Sequence, residues 1–80
     1  MARLRGFAKG TQNVRAHPTE VDCFWQVITA AGGTRLLHLT TFGSDHRRSG
    51  PKSSQSLQLD EATAHELMAL IRATFPKIEQ

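Results

Sequence analysis

Apolar positions along the chain fall into three runs that read as strands and one that reads as a helix. Phe24-Trp-Gln-Val-Ile-Thr29 and Leu36-Leu-His-Leu-Thr-Thr-Phe42 flank a Gly32-Gly33 junction. Two glycines between β-type runs predict a hairpin with a two-residue loop, because both central residues of a type I′ turn need φ > 0. A third run, Ser54-Gln-Ser-Leu-Gln-Leu59, alternates with period two and predicts a further strand. Asp60 is a good helix N-cap, Glu61 suits the first turn, and Pro76 forbids continuation. The spacing of Ala64, Leu67, Met68, Ile71 and Phe75 predicts a helix over about 61–75 with one buried stripe and Leu70 at its edge.

The pattern therefore predicts an α+β fold. A small antiparallel sheet of three or four strands, made by a hairpin over 23–42 and a strand over 54–59, is covered by one C-terminal helix. Residues 1–19 read as a flexible basic arm and 20–80 as a single ββ-loop-βα domain, with Pro18 holding His17 extended near the boundary.

Phasing the hairpin from a two-residue loop assigns the faces. Phe24 then faces Thr41, Gln26 faces Leu39 and Ile28 faces Leu37, which gives an aliphatic surface for the helix. Cys23, Trp25, Val27 and Thr29 fall with Phe42, Thr40, His38 and Leu36 on an aromatic, mixed surface. Both surfaces are too apolar to be left in water, and one helix covers one of them. The second needs another copy of the chain, a partner protein, or unpaired bases stacked on Trp25 and Phe42.

Charge sharpens the choice. The net charge is +3, and the cations are unevenly placed. Residues 1–19 hold Arg3, Arg5, Lys9 and Arg15 with no acid, and the loop over 43–53 holds Arg47, Arg48 and Lys52 against Asp45 alone. The helix begins acidic. A basic arm and a basic, Ser-rich loop suit phosphates, since arginine forks and hydroxyls both bond phosphate oxygens. The loop lacks the glycine-lysine spacing of a nucleotide-binding phosphate loop.

Catalytic chemistry is not signalled. Cys23 is the single cysteine, and His17, His38, His46 and His65 lie in four separate segments. That pattern offers neither metal-ligand spacing nor an activated nucleophile, so no enzyme, metal or cofactor is expected. No apolar run approaches membrane-spanning length and the start lacks a signal-peptide core. A cytoplasmic protein without membrane association is expected.

The order of strand, glycine turn, strand, basic loop, short strand and helix resembles the positive cofactor four family of single-stranded-DNA-binding transcriptional coactivators. Trp25–Thr29, Gly32-Gly33 and Leu36–Phe42 look like that family's central hairpin. Gly50-Pro51-Lys52 looks like its basic loop, and Ser56-Leu57 followed by Asp60–Ile71 looks like its last strand and helix. Thr40 or Thr41 stands where the family tends to carry arginine, and Ser54-Gln55 where it favours Lys-Gly. The resemblance implies a homodimer that presents basic and aromatic residues to single-stranded DNA, and it carries over onto Trp25, Phe42 and Lys52.

The expectation is thus a small dimeric protein that binds DNA or RNA, single strands before double, with little sequence preference, in a transcription-related role. Its expected contacts are Arg3, Arg5, Lys9, Arg15, Trp25, His38, Phe42, Arg47, Arg48 and Lys52. The alternative is a non-enzymatic interaction module whose second sheet face docks on a partner or on itself.

Overall fold

The computed structural model describes residues 2–42 and 53–78. The elements are β1 (Ala2–Arg3), β2 (Cys23–Thr29), β3 (Arg35–Phe42), β4 (Ser53–Leu59) and α1 (Glu61–Thr74). They form one four-stranded sheet in the order β1-β4-β3-β2. The α+β class and the C-terminal helix follow the pattern of the sequence. The sheet is mixed, not purely antiparallel, because β1 runs parallel to β4, with Ala2 opposite Leu57 and Arg3 opposite Gln58. The start of the arm is thereby an edge strand, tied by the Leu4 N–H donating to the Gln58 carbonyl at 2.8 Å.

The hairpin loop corrects the expected register. Thr29 pairs with Arg35, Gln26 with His38, Phe24 with Thr40 and Cys23 with Thr41, one residue away from the two-residue-loop alignment. The Ala30 N–H donates to the Thr34 carbonyl at 2.7 Å, so the loop between that bonded pair is Ala31–Gly33, a single 3₁₀ turn. Its Gly33 N–H donates back to the Ala30 carbonyl at 3.0 Å. Gly32, at φ 87° and ψ 0°, has the angles of the third residue of a type II turn, and Gly33 follows at φ 88°. Both glycines are needed for positive φ, as read, but in a three-residue loop.

Because side chains alternate, a shift of one residue exchanges partners between faces. The even-numbered face carries Phe24, Gln26 and Ile28 beside Leu36, His38, Thr40 and Phe42, then Ser56 and Gln58 from β4 and Arg3 from β1. The odd-numbered face carries Cys23, Trp25 and Val27 beside Leu37, Leu39 and Thr41, then Gln55, Leu57 and Leu59. The sheet thus has one aromatic–polar face and one aliphatic face that includes the tryptophan. The β3–β4 register shifts between Thr41 and Phe42, so that Thr41 pairs with Gln55 and Phe42 with Ser53.

Helix α1 starts as read. Asp60 accepts from the Thr63 N–H at 2.9 Å, while the Thr63 hydroxyl accepts from the Asp60 N–H at 3.0 Å, a reciprocal capping box. The Thr63 N–H, the Thr63 hydroxyl donating to Asp60 Oδ1 at 3.0 Å and Arg3 alongside hold the Asp60 carboxyl below its ordinary value. A lowered folded-state pKa means that this cap contributes fully above the unfolded aspartate value and fades as pH falls through the lowered one.

The buried stripe is shorter than its spacing implied. Ala64, Leu67 and Ile71 are half-buried, but Met68 and Phe75 are exposed. Among the described residues the buried apolar side chains are Leu36 at 3% and Leu59 at 2% exposure. The chain exposes 7559 Å² for a mass of 8.9 kDa, whereas a folded monomer of that mass exposes about 4,800 Å². Part of the excess lies in residues 5–22, all of them exposed, and part lies on the sheet and helix.

Candidate functional site

The even-numbered face holds the chemistry. Phe24 and Phe42 meet edge to face, with ring centroids 5.3 Å apart and planes at 76°. This is a favourable arrangement of the two ring quadrupoles, and it leaves aromatic surface open because Phe24 is 55% exposed. Beside them, directly paired across β3 and β4, His38 Nδ1 lies 3.0 Å from Gln58 Nε2. With the Gln58 amide nitrogen as donor, His38 Nδ1 is the acceptor of this bond. The bond holds the two polar side chains together on this face.

A groove of about 440 Å³ runs here, lined by Ala2, Arg3, His38, Thr40, Phe42, Ser56 and Gln58. Its floor is small and polar. Thr40 and Ser56 are buried opposite each other, and the Thr40 hydroxyl donates to the Gln55 carbonyl at 3.1 Å. Small residues in mid-sheet with larger ones around them make a depression rather than a ridge. Arg3 closes one end, its Nη2 3.5 Å from Asp60 Oδ2, an exposed ion pair that an anion in the groove could compete for at little cost.

Arg3 also lines a second cleft of about 580 Å³, shared with Leu4, Arg5, Gly6, Phe7 and Ala8. An aromatic–polar groove and a cationic cleft therefore adjoin through one arginine. The arrangement offers flat apolar surface, hydrogen-bonding groups and positive charge in series. It can stack a planar ring, bond its polar edge and hold an anion next to it.

The residues expected from the sequence are distributed as follows. His38 and Phe42 share the groove, and Arg3 borders it. Arg5 stands in the adjoining cleft, while Lys9 and Arg15 lie further along the exposed arm. Trp25 does not join His38 and Phe42. The register places it on the aliphatic face, paired with Leu39 and 70% exposed. Arg47, Arg48 and Lys52 fall outside the described residues. Phe24 and Gln58 were not singled out from sequence. A three-residue alternative for the glycine loop puts Phe24 on this face, and the pairing of β3 with β4 then adds Gln58.

Among the described residues no three His, Cys, Asp or Glu side chains converge as a bound metal requires, and no helix is long and apolar enough to cross a membrane. No family model matches the chain, and no curated protein or solved structure matches it either.

Proposed function

We propose that this chain is a non-enzymatic, single-strand-preferring nucleic-acid-binding protein that uses its even-numbered face with little regard to sequence. The observation that carries this reading is the line from Phe24 and Phe42, through the His38–Gln58 pair, to Arg3 and Arg5. Unpaired bases stack on aromatic rings and their edges accept and donate hydrogen bonds. The backbone follows a positive track, and none of these contacts demands one base over another. Duplex DNA hides those base faces inside its stack, so the same surface favours single strands. The basic arm adds phosphate contacts through Arg5, Lys9 and Arg15. The loop cations Arg47, Arg48 and Lys52 extend the same chemistry by charge, and a homodimeric, transcription-related accessory role fits the layout of the chain.

Fluorescence anisotropy against single-stranded DNA, duplex DNA and RNA oligomers at two salt concentrations tests the reading. Expected is tighter binding to single strands and a steep loss of affinity with salt, because each phosphate contact releases a counterion. Trp25 emission should change little, since the indole sits on the opposite face. Absence of binding at low salt contradicts the proposal. Strong quenching of Trp25 contradicts its placement of the surface.

A further inference from the structure

The free edge of the sheet offers a second surface, independent of what binds the aromatic–polar groove. Strand β2 is the last in the order β1-β4-β3-β2. Among the described residues, no backbone hydrogen bond reaches its outer side. Edge strands in monomeric proteins are guarded by charges, prolines, bulges or short length. β2 is seven residues long, Cys-Phe-Trp-Gln-Val-Ile-Thr, with no charge and no proline, and its pairing with β3 is unbroken by any bulge.

Its chemistry is close to palindromic. Centred on Gln26, the flanking residues are Trp25 and Val27, then Phe24 and Ile28, then Cys23 and Thr29. A second copy laid antiparallel about a twofold axis through Gln26 sets large apolar groups opposite large apolar groups on both faces. Aromatic and β-branched residues are favoured cross-strand partners. The hydrogen-bonding phase fits as well. The Ala30–Thr34 bond makes the even-numbered residues of β2 those that exchange bonds with β3, by the alternation of antiparallel ladders. The N–H and C=O groups of Cys23, Trp25, Val27 and Thr29 therefore point outward. In the twofold arrangement Trp25 bonds to Val27 of the second copy, and Cys23 to its Thr29.

We infer that β2 pairs antiparallel with β2 of a second copy, in register about Gln26, to make one continuous eight-stranded sheet. The twofold closes the interface on itself, so the contact stops at a dimer. It also accounts for two exposures otherwise unexplained at one edge: Trp25 at 70% and Val27 at 55%. The partner is a second copy because the strand complements itself and carries no charge with which to select a charged partner. Pairing lays the two aromatic–polar grooves on one side of a common sheet.

Charge swaps at the twofold test the register. Gln26 is exposed and its neighbour across the axis is Gln26 of the second copy. Sedimentation or light scattering should give a dimer for the unaltered chain and a monomer for Gln26→Lys and for Gln26→Glu, since like charges then sit opposite each other. An equimolar mixture of the two variants should recover the dimer, and Val27→Pro, whose lost N–H is an outward donor, should be monomeric with its helical circular dichroism kept. Recovery by mixing shows that the single variants remain folded. A monomeric unaltered chain overturns the inference, as do single variants that dimerise like it or a mixture that stays monomeric.

Discussion

Replacing Leu59 with alanine is expected to remove most of the stability of this chain. Leu59 closes β4, pairs across the sheet with Leu37, and is the most completely buried apolar side chain described, at 2% exposure. Truncating a buried leucine costs about 2–5 kcal/mol, the transfer term plus the cavity left behind. A core of this size supplies roughly 3–5 kcal/mol in total. A loss of about 3 kcal/mol therefore brings folded and unfolded populations close together at room temperature. Urea denaturation followed by circular dichroism checks it, with Leu70→Ala as the comparison. Leu70 is largely exposed on α1, so its truncation should cost under about 1 kcal/mol. Equal, small effects at both positions would mean that Leu59 is not the centre of the core.

The second large effect is expected at the ring of Phe42. Phe42→Leu keeps apolar bulk and β3 backbone pairing but removes the aromatic face that meets Phe24 and borders the groove. A base stacked on an aromatic side chain is worth about 1–3 kcal/mol, so affinity for a single-stranded oligomer should fall about tenfold or more, with the salt dependence unchanged. Arg5→Ala should do the reverse, weakening all oligomers alike and lowering the salt slope by about one phosphate contact. A Phe42→Leu chain that binds as tightly as the unaltered one would take stacking out of the mechanism.

How much of this was legible in the sequence depended on whether the signal was local. Asp60 announced the helix start because a cap is a contact between residues three apart, and the structure has Asp60 and Thr63 in that contact. The three long strands were legible from β-type residues and their alternation. The hairpin register was not, because Gly32-Gly33 supplies two positive-φ positions equally well to a two-residue or a three-residue loop. The outcome rests on the Ala30–Thr34 hydrogen bond, which no pattern in the chain announces. That single residue decided the site, moving Trp25 away from His38 and bringing Phe24 to Phe42. Strand β1 was invisible for a different reason. Ala2-Arg3 has no periodicity, and it is a strand only because β4 offers it an edge. Met68 and Phe75 followed helical spacing but not burial, since spacing defines a face without saying what covers it.

Residue-resolved chemical shifts during titration with an oligothymidylate test most directly whether the even-numbered face meets unpaired bases. The Gln58 side-chain amide, the His38 ring and the amides of Phe24 and Phe42 are expected to shift together and saturate together, while the Trp25 indole N–H stays in place. Shifts confined to Trp25, Leu37 and Leu39, with the His38–Gln58 pair unmoved, would place binding on the aliphatic face and contradict the proposed function.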